Sequence, residues 1–122
     1  MKNFNHRDAE NLEQAAGILK EEPGRAKIIA GGTDLLSVLK HKLEPDYPET
    51  IVNIKSIEGL NHITADENGL RIGATAKLCD IAASPLVQDG YGALADAAKS
   101  VATPLIRNLA TIGGNLCQEV RC

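Results

Sequence analysis

Ala26-Lys27-Ile28-Ile29-Ala30-Gly31-Gly32-Thr33-Asp34-Leu35-Leu36 decides how this chain is read. Ala26 to Ala30 is a short β-prone run that fits a buried strand, and Gly31-Gly32 ends it. Leu35, Leu36, Leu39 and Leu43 then recur at helical spacing, with Thr33 or Asp34 available to cap the amino end. Strand, glycine turn and helix therefore follow one another directly. Upstream, Ala9, Leu12, Ala15, Ala16 and Leu19 predict an amphipathic helix over 7–22, closed by Pro23-Gly24. Downstream, Pro45 and Pro48 bracket a loop, and Thr50 to Ile54 alternates like a second strand, which completes a βαβ-like unit.

Past a boundary expected near residue 57 the pattern changes. His62 to Ala65 and Leu70 to Ala74 flank Asp66-Glu67-Asn68-Gly69, where Asn-Gly predicts a tight hairpin turn. Helical patterns run over 77–83 and 91–101, and from Thr103 the chain reads as irregular and rich in Thr, Asn and Gly. The expected class is α+β, with a small amino-terminal lobe over 1–57 and a second, incomplete lobe over 58–122.

Composition narrows the function. The 122 residues are 43% hydrophobic and 24% charged, which fits a folded globular chain. A net charge of -3 and an aromatic content of 2% leave neither a basic footprint nor a stacking platform for nucleic acid. Apolar runs such as Ala93-Leu94-Ala95 fall far short of the roughly 20 residues that span a bilayer. No secretory signal opens the chain, so a cytoplasmic location with reduced thiols at Cys79, Cys117 and Cys122 is expected.

Two constellations could carry chemistry. In Ala30-Gly31-Gly32-Thr33-Asp34, glycines let backbone N–H groups approach a phosphate, the helix amino end adds positive partial charge, and the Thr33 hydroxyl can donate. A tight connection without a ligand accounts for the same residues equally well. Asp34 would repel a phosphate and is expected to cap the backbone instead. The second constellation, Thr111-Ile112-Gly113-Gly114-Asn115, repeats the diglycine beside a hydroxyl and an amide. Together the two loops point to one extended anion, a nucleotide or diphosphate. The spacing is neither that of a Rossmann turn nor that of a P-loop.

These motifs, with Leu70-Arg71-Ile72-Gly73-Ala74-Thr75 between them and Ile106-Arg107-Asn108-Leu109-Ala110 leading into the second, resemble the FAD-binding subunit of the molybdenum hydroxylases. That family includes xanthine dehydrogenase, the medium subunit of carbon monoxide dehydrogenase and 4-hydroxybenzoyl-CoA reductase. The resemblance implies a two-lobed FAD-binding fold of the vanillyl-alcohol-oxidase or p-cresol-methylhydroxylase (PCMH) type. It makes Ala30 to Asp34 the first FAD pyrophosphate loop and Thr111 to Asn115 the second. It puts Gly73-Ala74-Thr75 at a strand end near the cofactor, where a structural glycine is the favoured reading. Arg107 and Asn108 belong to the same signature, but a loop arginine is as often solvated or lobe-bridging, and they are left outside the expected site.

The resemblance further implies an oxidoreductase subunit without a general base or nucleophile. Electrons would pass between iron–sulfur clusters and an acceptor such as NAD, with molybdopterin on a large subunit and the clusters on a [2Fe–2S] small subunit. A complete subunit of this kind is more than twice as long, so the chain reads as an amino-terminal portion, inactive alone, whose exposed second lobe would favour self-association. In one branch of the family Cys122 would open a loop holding a further iron–sulfur cluster; two cysteines near the chain end cannot hold one, and no metal site is expected within these residues. Histidines 6, 41 and 62 are expected to be solvated or capping. Two other functions fit the same residues: a structural or assembly module of this fold without flavin, and a stand-alone flavin oxidoreductase.

Overall fold

The computed structural model describes residues 1–43 and 46–119. The chain begins with a strand, β1 (Asn5–Asp8), followed by helix α1 (Leu12–Glu21), strand β2 (Ala26–Ile29), helix α2 (Leu35–His41) and strand β3 (Thr50–Asn53). The strands form a parallel sheet in the order β1-β3-β2, with Asn5 and Ala26 both paired to Thr50. Thr50, Ile51 and Val52 are buried, as expected of a central strand covered on both faces.

Side-chain alternation along the sheet separates two small cores. Val52 and Ala26 pack with Ala15 and Ile18 of α1, whereas Ile51 and Ile29 pack with Leu39 beneath α2. Each of the largest of these side chains contributes about 1.5–3 kcal/mol by leaving water.

The helix expected over 7–22 is corrected here. Residues 5–8 form β1, and the helix starts only after Asn11, whose side chain accepts from the Gln14 N–H at 2.8 Å. The buried face of α1 is Ala15 and Ile18, while Leu12 and Ala16 are exposed. No periodicity could reveal β1, because all four of its residues are exposed and polar. It is a strand because β3 offers it a free edge, and its charges suit an edge strand. The βαβ-like unit is present as β2-α2-β3, enlarged by β1 and α1.

The second half starts with an antiparallel hairpin, β4 (Ile63–Asp66) and β5 (Gly69–Ile72). Its two-residue loop is Glu67-Asn68, with Gly69 at φ +118°, so the turn sits one residue earlier than Asn-Gly predicts. Helices α3 (Leu78–Ala83), α4 (Pro85–Gly90), α5 (Gly92–Ser100), α6 (Pro104–Arg107) and α7 (Ile112–Leu116) follow. Ala76, Leu78, Ile81, Val87, Ala95, Ala98 and Ala110 form a third core, against which Ile63, Leu70 and Ile72 of the hairpin pack.

The stretch read as irregular from Thr103 is thus largely helical. Thr103 and Thr111 cap α6 and α7, accepting from the Ile106 and Gly114 N–H groups, and Pro104 occupies the first turn of α6. A capping threonine followed by proline is the signal that marks such a start. Glu44 and Pro45 of the proline-bracketed loop, and Cys122, lie outside the described residues.

Candidate functional site

The first diglycine leaves the carboxyl end of β2 and enters α2. Gly32 has φ +77°, a conformation that a side chain resists, and the Ile29 Cδ1 methyl lies 3.1 Å from where its Cβ would be. A Cβ on Gly31 would run into the Leu109 carbonyl oxygen and approach Ala110 Cα at 3.0 Å. The first loop is therefore seated against the backbone that leads into the second. Asp34 occupies the N-cap position of α2 but makes no side-chain cap hydrogen bond, which corrects its expected role. Among the described residues no acceptor meets the N–H groups of Gly31, Gly32 or Thr33.

The second diglycine is held differently. A single antiparallel bridge pairs Lys77 with Thr111. Across it the Ile112 N–H donates to Ala76 O (2.9 Å), the Gly113 N–H to Ala74 O (2.9 Å), and the Leu78 N–H to Ala110 O (3.0 Å). A Cβ on Gly113 would lie 2.7 Å from the Ala74 carbonyl oxygen, so the bond to that carbonyl exists only because residue 113 lacks a side chain. The Thr111 hydroxyl accepts from the Gly114 N–H at 3.2 Å, and the Asn115 N–H and its Nδ2 both donate to Thr111 O. Every N–H from residue 112 to 115 is thus engaged inside the chain.

Between the loops lies a cavity of about 570 Å³, within the range of small-molecule sites. Ala30, Gly31, Gly32, Thr33, Asp34, Thr111, Gly113, Gly114 and Asn115 line it, with Ile28, Leu35, Val38 and Ile54 forming an apolar wall. Of the residues predicted for the site, Ile112 alone points elsewhere, packing against the third core.

Ala74 also lines the cavity, whereas Gly73 is packed against the Leu60 backbone and is structural. Arg107 clamps the turn before α6, donating to Val101 O (2.7 Å) and Ala102 O (3.3 Å), with Ala102 at φ 40°. Cys117 is exposed on the cavity rim. Cys79 on α3 is partly buried; burial and a contact with Asp80 push its thiol pKa up. His6 stands on β1, His41 ends α2, and the His62 ring meets Gly59 O at 2.7 Å.

Residues 2–121 match the family described as the FAD binding domain in molybdopterin dehydrogenase. The chain belongs to that family. The nicotinate dehydrogenase FAD-subunit of Eubacterium barkeri is 40% identical over 119 residues, which are 95% of this chain and 39% of that protein. The carbon monoxide dehydrogenase medium chain of Hydrogenophaga pseudoflava is 34% identical over 113 residues, covering 93% of this chain and 39% of the relative.

Solved structures agree. Carbon monoxide dehydrogenase from Hydrogenophaga pseudoflava lacking the Mo-pyranopterin moiety superposes with a TM-score of 0.89 at 33% identity, over 94% of this chain and 39% of that one. Quinoline 2-oxidoreductase from Pseudomonas putida 86 gives 0.86 at 30% identity, over 95% and 40%. The chain thus spans about two-fifths of the length of these relatives. The α+β FAD-binding fold of the PCMH type, implied by the resemblance, is the fold of this member. Among the described residues no helix is long and apolar enough to cross a membrane.

Proposed function

We propose that this family member binds FAD with its diphosphate between the two diglycine loops, as the flavin subunit of a molybdopterin-dependent dehydrogenase. The observation that carries this reading is the shared cavity: two motifs about 80 residues apart in sequence line one space, and on one side are N–H groups that no described residue accepts from. A diphosphate needs such donors. Gly31, Gly32 and Thr33 would supply them. Thr111 to Asn115 would form the opposite wall, with Thr111 and Asn115 presenting side chains, and the apolar wall would exclude water.

Bound flavin supplies electron transfer between iron–sulfur clusters and an acceptor such as NAD; the protein's part is to bind, orient and tune it. Molybdopterin and the clusters belong to the large and small partner subunits in this reading, and the location is cytoplasmic. Lobes over 1–57 and 58–122 fit the separation of the first two cores from the third. Open edges on the β4–β5 hairpin, together with exposed Leu105, Leu109 and Leu116, support self-association or docking to those subunits.

Titration of the protein at its natural length with FAD, followed by flavin absorbance and calorimetry, tests the reading. Saturable binding that ADP competes away is the expected result. Failure to bind FAD, even after reconstitution, would overturn it.

A further inference from the structure

The carboxyl ends of the three parallel strands carry a polar chain that the flavin reading has not used. Asn53, the last residue of β3, donates from Nδ2 to the Asp8 carboxylate of β1 at 2.6 Å, and its main-chain carbonyl accepts from the Ala9 N–H at 3.0 Å. The Lys55 ammonium donates to the Asn53 side-chain oxygen at 2.7 Å and to the Ala30 carbonyl at 2.9 Å. Asp8, Asn53 and Lys55 thereby link the ends of β1 and β3 to the first residue of the diglycine loop after β2. Ligands of parallel sheets sit at this end of the strands.

The Ala30 carbonyl and the Gly31 N–H belong to one peptide group. A trans peptide is planar and points its C=O and N–H in opposite directions. An ammonium that pins the carbonyl therefore also fixes where the N–H points, away from Lys55. The Gly31 N–H is one of the three loop donors that no described residue accepts from. A cation on the carbonyl also polarises the peptide and strengthens its N–H as a donor.

We propose that Lys55 is a positioning residue for the FAD diphosphate, clamping the Ala30 carbonyl so that the Gly31 N–H is aimed at a phosphate oxygen. The inference rests on the flavin site proposed above. Two bonds commit the ammonium to this place although the side chain is largely exposed. Burial lowers the lysine pKa and Asp8 opposes that shift.

The test compares Lys55→Met, which keeps the aliphatic stem, with Lys55→Arg, which restores charged donors, both at the protein's natural length. The readouts are FAD and ADP affinity and the melting temperature. Lys55→Met should weaken FAD and ADP binding alike, by about three- to tenfold given charge-assisted bonds discounted for solvent. Lys55→Arg should regain most of that loss, and the melting temperatures should agree closely.

Wild-type affinity in Lys55→Met overturns the positioning role while leaving the flavin site standing. Loss of affinity together with a lowered melting temperature, unrescued by Arg, makes Lys55 merely structural and also overturns it. Wild-type protein that binds no FAD removes the site and the inference with it. If Lys55→Met does not fold, Lys55→Gln decides: affinity between those of wild type and a non-binding Gly32→Val control supports the clamp, and wild-type affinity overturns it.

Discussion

The two diglycines look alike in sequence, each beside a threonine and a polar residue, yet they solve opposite problems. At Gly31-Gly32 the backbone turns through a positive φ beside a cavity, and among the described residues no acceptor meets its N–H groups. At Gly113-Gly114 the N–H groups are already spent on Ala74 O and the Thr111 hydroxyl, and the missing Cβ lets two backbones touch. Both loops rest on neighbouring backbone, Gly31 on Leu109 and Gly113 on Ala74; they differ in that only the second also has its N–H groups engaged by described residues. A glycine pair is thus evidence for close approach, while tertiary structure determines whether ligand or protein does the approaching.

The largest effect that can break this contrast is expected at the touching glycines. Gly113→Val puts side-chain atoms where the Ala74 carbonyl stands, and Gly31→Val does the same to Leu109. Each should cost about 3 kcal/mol of folding stability, seen as an earlier denaturant midpoint at unchanged m. If Gly113→Val were as stable as wild type, the second loop would not be the structural one.

Gly32→Ala should come next, because it forces a side chain to φ +77°. A cost of about 1–2 kcal/mol is expected, with FAD affinity falling by more than the change in stability explains. Equal losses at Gly32 and Gly113 in both stability and affinity would erase the difference between the loops.

A smaller effect should follow Thr111→Val, which removes the acceptor of the Gly114 N–H. About 1 kcal/mol of stability should be lost, and Thr111→Ser should restore it, as for other caps. Thermal melts of the pair check this.

The smallest signal is chemical. At about pH 8, Cys117 on the exposed rim should react with a thiol reagent faster than Cys79, whose raised pKa leaves less thiolate below its ordinary value of 9.0. ADP should slow Cys117 and not Cys79, since of these two only Cys117 lines the cavity. Equal protection of both thiols would place the ligand elsewhere.

Much of the fold was legible along the chain. The strand-glycine-helix unit and the hairpin are written in short-range spacing and turn chemistry, and both are present, the hairpin loop shifted by one residue. Strand β1 was not legible, because Asn5-His6-Arg7-Asp8 has no apolar alternation and owes its conformation to β3. Helices α6 and α7 were missed because Gly, Thr and Asn argue against helix on propensity, though Thr103-Pro104 and Thr111 carry the capping signal.

The candidate site divides along the same line. Its residues could be named from two motifs, and all but Ile112 line one cavity. Lys55 carried no motif at all: it reaches the Ala30 carbonyl because the chain returns β3 beside β2.

The amino-acid sequence by itself determined where the backbone must turn tightly and which short runs are strand or helix, since those preferences depend on neighbours a few positions away. Tertiary structure alone decided that Gly31 rests on Leu109, that Ala74 uses the Gly113 N–H, and that Lys55 grips the first loop. Each of these is a contact between segments distant in sequence, and which N–H groups remain for a ligand is known only after all such contacts have been made.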